Sequence, residues 1–221
     1  MSCDLVIWDF NGTIINDVKL GVDSVNKMLA RRGLPLVADV AEYRRRLRFP
    51  IIDYYRDLGF DFDAEPYESL AHEWIALYNE GAHTITATVG LQDALAAIAA
   101  AGIPQIIISA SEQEMMHRAL DRLGLRGYFS EILGQDNVYA AGKMETARQF
   151  EARCGASDPV VIGDTLHDFE MARELGARCI LYTLGHSSLA DLESTETPLV
   201  SDLRDAAQLI LNANSRTENR P

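Results

Sequence analysis

The 221-residue chain has only three cysteines, Cys3, Cys154 and Cys179, and no C-x-x-C pair. An odd number of widely spaced thiols argues against a disulfide framework and against a zinc site; it points to reduced thiols in a cytoplasmic protein. Basic residues are also scarce. Twenty Lys and Arg against 33 Asp and Glu give a net charge of −13, which argues against nucleic acid or an anionic membrane as a partner. An anionic substrate then needs local neutralisation by a metal or by a placed Lys or Arg. No basic region precedes the first apolar run, so no signal peptide is expected. The uncharged stretch from Ala94 to Ser111 is divided by Gly102, Pro104 and Gln105 into a helix and a strand, so it is not read as a membrane span. Repeats and low-complexity segments are absent.

What is present starts with Leu5-Val6-Ile7-Trp8, an apolar run expected to be a strand buried on both faces. Asp9 stands where that strand ends, and Phe10-Asn11-Gly12-Thr13 follows as a turn. Taken alone, Asn-Gly signals an ordinary hairpin. In an open parallel sheet, ligands sit beyond the carboxyl ends of the strands, which is where Asp9 would lie. Asp17 is then placed to cap a helix carrying Val18, Val22, Val25 and Leu29 and ending at Gly33. A helical stretch from Val40 to Leu47, carrying Arg44, Arg45, Arg46 and Arg48, is interrupted by Pro50. A third helix spans Glu65 to Glu80.

No strand is expected between Asn16 and Ile85, so residues 16–85 read as an all-helical insertion, a small cap. From Thr88 onward helices and strands alternate. Helices are expected at 91–101, 112–123, 143–153, 166–175 and 203–211, and strands at 104–109, 131–133, 159–162, 178–182 and 198–200. This is the pattern of an α/β fold with a parallel sheet flanked by helices. Its core comprises residues 1–15 and 86–214, and a polar tail over 215–221 is expected to be disordered.

Four strand ends carry polar residues. The first offers Asp9. The second, Gln105-Ile106-Ile107-Ile108-Ser109, ends in a hydroxyl followed by Ala110 and the backbone amides of a helix start, which favour an anion. Ala141-Gly142-Lys143 puts an ammonium at another helix start, against the macrodipole, where it needs an anionic partner. Val160-Val161-Ile162-Gly163-Asp164-Thr165-Leu166-His167-Asp168 supplies two acids four residues apart. Singly these residues have ordinary explanations: a capping serine, a solvated lysine, two helix-capping acids. Together, acids with a hydroxyl and a cation between them suit a phosphate held with Mg²⁺ through hard oxygen ligands.

In that order the motifs resemble those of haloacid dehalogenase (HAD) superfamily hydrolases, in the phosphoglycolate phosphatase-like group with a helical cap. The resemblance runs from Leu5 to about Leu211 and implies a Rossmann-like core. It implies Asp9 as nucleophile, forming an aspartyl-phosphate. Ser109 and Lys143 would hold the phosphoryl oxygens, with Asn11, Gly12 and Ala110 beside them. Mg²⁺ would be held by Asp9, the backbone carbonyl of Asn11 and Asp164, with Asp168 orienting that shell. The implied substrate is a small phosphorylated metabolite, and the protein would be a monomer or a weak homodimer.

One position departs from the family pattern. Phosphatases of the family carry an Asp two residues after the nucleophile, where it protonates the leaving oxygen and then activates water; this chain has Asn11. An amide does not exchange a proton at neutral pH, and general acid–base help is worth ~10²–10⁴ in rate. Ordinary phosphomonoesters are therefore expected to be hydrolysed weakly. One reading is a leaving group that needs no proton, as in an acyl phosphate or phosphoanhydride; another is that a group from the cap or the substrate supplies it. Otherwise the protein is a phospho-ligand sensor or partner-binding protein that keeps the fold. Of the arginine run, Arg45 is taken as a clamp for a substrate carboxylate or second phosphate. His167 is read as a surface or supporting residue; His186 follows a strand end on the correct rim but is not counted in the site.

Overall fold

All four residues of β1 (Leu5–Trp8) are buried, because the strand has neighbours on both sides and helices over both faces. A computed structural model describes residues 3–135 and 143–218; residues 136–142, including Ala141 and Gly142, lie outside the described residues. Between β2 (Ile15–Asn16) and β3 (Thr86–Ala87) come α1 (Val18–Arg31), α2 (Val40–Arg46), α3 (Ile51–Leu58) and α4 (Tyr67–Gly81). The rest of the chain is α5 (Leu91–Ala100), β4 (Gln105–Glu112), α6 (Gln113–Leu123), β5 (Glu131–Gln135), α7 (Lys143–Cys154), β6 (Pro159–Gly163), α8 (Leu166–Glu174), β7 (Arg178–Tyr182), α9 (Leu189–Glu193), β8 (Leu199–Val200) and α10 (Leu203–Glu218).

Six strands pair in the order β5-β4-β1-β6-β7-β8, every pair parallel. This is the α/β sheet flanked by helices that the alternation predicts. The chain leaves β1 toward β4 on one side and returns to β6 on the other, so the strand order reverses at β1, the position where such sheets bind ligands. Period-two geometry then divides the core into two layers. Val6 and Trp8 join Leu91, Leu95, Ile98, Leu120, Leu203 and Ile210 on one face. Leu5 and Ile7 join Phe150, Val161, Met171 and Leu181 on the other. The one polar group on the Trp8 ring is satisfied within the core, where its Nε1 donates to Gln105 Oε1 at 3.0 Å.

The four helices between β2 and β3 carry a third apolar core, centred on Val22, Met28, Leu29, Tyr54, Tyr55 and Leu70. The two-residue strands β2 and β3 pair antiparallel and tie both connections to the sheet. The sequence pattern does not reveal α3. Pro50 reads as a break after α2, but it occupies the N-cap position of α3, and a proline beside a helix start costs no hydrogen bond.

A second departure concerns the tail. Of the expected 215–221 tail, residues 215–218 continue α10 instead of fraying, and 219–221 lie outside the described residues. One anchor is visible, since the Asn214 side chain accepts from Cys3 N at 2.6 Å and donates to Cys3 O at 3.2 Å. Among the described residues no helix is long and apolar enough to cross a membrane.

Candidate active site

The register of the sheet assembles the site. Trp8 pairs with Ile107 on one side and Ile162 on the other, so Asp9 lies level with Ile108 and Gly163. Ser109 and Asp164 each stand one residue further along. Asp9 N donates to Ile162 O at 2.8 Å, which holds the carboxylate at the rim. Asp9, Ser109, Lys143, Asp164 and Asp168 are all buried. The Lys143 ammonium donates to both Asp9 Oδ1 and Asp168 Oδ1, which supplies the anionic partners its place at the head of α7 demands.

Asp168 is fully engaged. Its second oxygen accepts from Asp164 N at 3.1 Å, Thr165 N at 2.9 Å and Thr165 Oγ1 at 2.7 Å, and it forms a reciprocal cap with Thr165 at the start of α8. Burial would raise its pKa, but the Lys143 charge and the Thr165 donors outweigh it and hold it below the usual carboxylate value. Its visible work is to hold Lys143 and the loop after β6. Asp9 behaves in the opposite way: burial and the Asp168 charge push it well above the usual value despite Lys143. Burial also lifts Asp164 to about 6. Asp164 accepts from Thr13 Oγ1 at 2.8 Å and from His186 N at 2.6 Å.

This donor set fits a divalent cation. Oxygens of Asp9, Asp164 and Asp168 lie within 4.8 Å of one another. Buried carboxylates this close repel unless a cation joins them, and oxygen-only donors suit a hard ion. With Lys143 and Thr165 occupying Asp168, Asp9 and Asp164 are the carboxylates best placed to bind one.

Asn11 is not an idle substitute. Its Nδ2 donates to Asp17 Oδ2 at 2.7 Å and to Tyr78 Oη at 3.3 Å, and its Oδ1 accepts from Ser111 Oγ. Asp17 therefore departs from its expected role: it occupies the N-cap position of α1 but makes no side-chain cap bond. Its carboxylate turns back to the site, accepting also from Gly12 N at 2.8 Å, Tyr78 Oη at 2.8 Å and His186 Nε2 at 3.1 Å. Burial opposes its ionisation, but the His186 charge and these donors hold its pKa down. Burial likewise opposes charging of His186, yet the adjacent Asp17 charge wins and lifts it to about 9. The other ring nitrogen of His186 meets Tyr43 Oη at 2.9 Å. Gly12 is required here. Its φ is +72°, and a Cβ would collide with the Asp164 carboxylate and the His186 ring.

Asp17, Tyr43, Tyr78, Ser111 and His186 are thus site residues that sequence reasoning does not place. The only signal was the position of His186 just past β7. Arg45 is a correction in the other direction: it is exposed and absent from the wall of the site. Its neighbours in the run are committed elsewhere. Arg44 donates to Gly185 O at 2.7 Å and Leu184 O at 2.6 Å, docking α2 on the loop that carries His186. Arg46 and Arg48 both pair with Asp57 at 2.9 Å. A helix face that reads as a substrate clamp is used for docking and for internal ion pairs. His167 stacks on Phe49 with ring centroids 5.9 Å apart, a second contact between the inserted helices and the sheet.

Comparison with known proteins follows this geometry. Residues 6–182 match the haloacid dehalogenase-like hydrolase family. The chain belongs to that family. It is 23% identical over 206 residues to a phosphoglycolate phosphatase of Pseudomonas putida, covering 90% of this chain and 76% of the relative. It is 25% identical over 224 residues to phosphoglycolate phosphatase 1 of Pseudomonas aeruginosa, covering 94% and 82%. Among solved structures, a haloacid dehalogenase-like family protein of Streptococcus pneumoniae superposes with a TM-score of 0.79 at 17% identity, covering 94% of this chain and 98% of that one. That last likeness bears on fold alone.

Proposed function

We propose that this haloacid dehalogenase-like hydrolase is a cytoplasmic, Mg²⁺-dependent phosphatase of a small phosphorylated metabolite that works through an aspartyl-phosphate on Asp9. One observation carries the reading. Asp9, Lys143, Asp164 and Asp168 come from separate elements and meet, buried, at the carboxyl ends of β1 and β6. The named relatives support the reaction class, and three free thiols support the compartment.

An Asp9 oxygen attacks phosphorus, and the bond from phosphorus to the leaving oxygen breaks with its electron pair on that oxygen. Water then attacks the phosphorus of the aspartyl-phosphate, releasing phosphate and restoring the carboxylate. Lys143 offsets the repulsion between Asp9 and an anionic substrate, and the Ser109 hydroxyl is available to a phosphoryl oxygen. When bound, Mg²⁺ held by Asp9, Asp164 and the carbonyl of Asn11 would neutralise charge and polarise a phosphoryl oxygen. Asn11, with its amide committed to Asp17 and Tyr78, supplies no proton to the leaving group.

The test is stoichiometric trapping of beryllofluoride with Mg²⁺, combined with turnover of a phosphate panel before and after chelation. Turnover that stops on chelation and is lost in Asp9→Asn is the expected result. Trapping without turnover of any phosphate would favour the second reading, a phospho-ligand sensor, for which Asn11 is the supporting feature.

A further inference from the structure

The cavity that begins at Asp9, Ser109 and Lys143 runs up into the inserted helices and encloses about 300 Å³. Its distal wall is apolar and aromatic: Leu47, Tyr55, Tyr67, Trp74, Ile75 and Met115 all line it. Trp74 is braced by Tyr78, with ring centroids 4.8 Å apart and planes at 27°. The size is informative, since an apolar cavity of about 150 Å³ accepts benzene. The space here is large enough for a phosphoryl group and one ring.

Charge in this wall is equally informative. Lys143 is the only Lys or Arg among the described residues that line the cavity, and Asp9 and Asp168 engage it. His186 is paired with Asp17, while His167 stacks on Phe49 and lies 3.6 Å from Glu170. Glu112 adds a negative charge to the lining. A substrate carboxylate reaching into this space would be desolvated with no unpaired cation among the described lining residues to meet it.

A third observation is independent of the wall. Asn11 cannot protonate a leaving oxygen. A phenolic oxygen, with a pKa of about 10, needs far less help than an alkyl oxygen resembling water at about 16. Apolar aromatic lining, the lack of an unpaired cation among the described lining residues and an amide in place of an acid two residues after the nucleophile select the same chemistry.

We propose that the substrate is an aryl phosphate monoester: a single-ring phenol bearing phosphate and no second anionic group. This inference rests on the phosphatase reading above. The Asp9 oxygen forms a bond to phosphorus, the phosphorus–aryl oxygen bond breaks, and the electron pair leaves as aryloxide. Water then cleaves the aspartyl-phosphate, one proton ends on the aryloxide, and the products are a phenol and inorganic phosphate. The distal wall stacks on the departing ring.

The experiment measures kcat/KM with Mg²⁺ for acetyl phosphate, phenyl phosphate, cyclohexyl phosphate, 4-carboxyphenyl phosphate and 2-phosphoglycolate. Phenyl phosphate is expected to exceed both phosphoglycolate and 4-carboxyphenyl phosphate by about 100-fold, the effect of roughly 3 kcal/mol. It should exceed cyclohexyl phosphate mainly in kcat, because the two rings match in size and differ in leaving-group acidity. Trp74→Ala should raise KM for phenyl phosphate about tenfold. Ala71→Arg, which introduces a cation into the lining, should shift preference toward the carboxylate-bearing esters. Acetyl phosphate needs neither a ring pocket nor an acid and isolates the chemistry of Asp9. If it turns over while phenyl phosphate is no better than phosphoglycolate, the aryl assignment is wrong and the phosphatase reading stands. If none of the five turns over, both fall.

Discussion

At the sheet end of the cavity, Asp17 and Asp168 both have their oxygens met by a cation or by hydrogen-bond donors. At the insertion end, the lining is aromatic rings and aliphatic chains, and the nearby arginines are turned to other work. The two ends obey different physics. Buried charges require paired geometry held within tenths of an ångström, because an unpaired one is expensive. Apolar contacts are non-directional and tolerate exchange at similar volume. On the proposed function, the sheet end sets which bond is cleaved and the insertion end sets what is attached to it. Sequence likeness to phosphoglycolate phosphatases, 23–25% for the two relatives compared, is compatible with the same first function and a different second one.

The largest effect should come from removing the cation at the sheet end. Lys143→Met leaves Asp9 and Asp168 facing each other in a buried site, so it should cost about 3–5 kcal/mol of stability by denaturant unfolding. The same replacement on an exposed lysine such as Lys19, 81% accessible, should cost under about 1 kcal/mol. Equal effects would erase the distinction between the two kinds of region.

Next comes position 11. Asn11→Asp alone sets a carboxylate within 2.7 Å of Asp17 Oδ2, so the single variant should lose stability and gain no activity. The paired exchange Asn11→Asp with Asp17→Asn restores one amide and one acid. It should raise kcat for cyclohexyl phosphate about tenfold or more while moving phenyl phosphate little. An equal rise on both esters would contradict the leaving-group argument. Because Asn-Gly deamidates, the mass of the peptide containing residue 11 must be checked before either assay.

A smaller effect is expected from pH. The folded pKa of His186 is lifted from 6.5 to about 9 by Asp17, against the pull of burial. Below pH 6.5 the imidazole is charged in both states and the pairing stabilises fully. Between pH 6.5 and 9 the unfolded chain releases the proton and the folded one keeps it, so stability falls; above about 9 the contribution is gone. The wild type should lose on the order of 1–3 kcal/mol across that interval, and His186→Gln should flatten the slope. A wild-type curve already flat over this range would refute the charged pair.

The smallest effects belong to the arginine run. Arg44→Ala removes two bonds to the loop carrying His186 and should raise KM a few-fold through looser docking of the inserted helices. Arg45→Ala should leave KM within about twofold, as expected for an exposed side chain with no partner in the cavity. A large rise in KM for Arg45→Ala would return that residue to the site and reverse the reading of the wall.

The central residues of the site were legible because parallel strands bring their carboxyl ends to one rim whatever the loops do. Asp9, Ser109, Lys143 and Asp164 could each be read from the end of an apolar run or the start of a helix. The sequence also carried the β-α alternation, and with it the sheet and its covering helices. Pro50 does end the second helical stretch as read, but α3 was missed, since a proline that stops one helix starts another with equal ease. The roles of Asp17, His186 and the arginines were decided by tertiary structure alone. An acid preceding a helix can cap it or turn inward, and nothing local distinguishes the two until a partner more than a hundred residues away arrives. The character of the distal wall has the same origin: α-helical periodicity tells which face of an inserted helix is apolar, but only docking determines whether that face closes on a core or on a substrate.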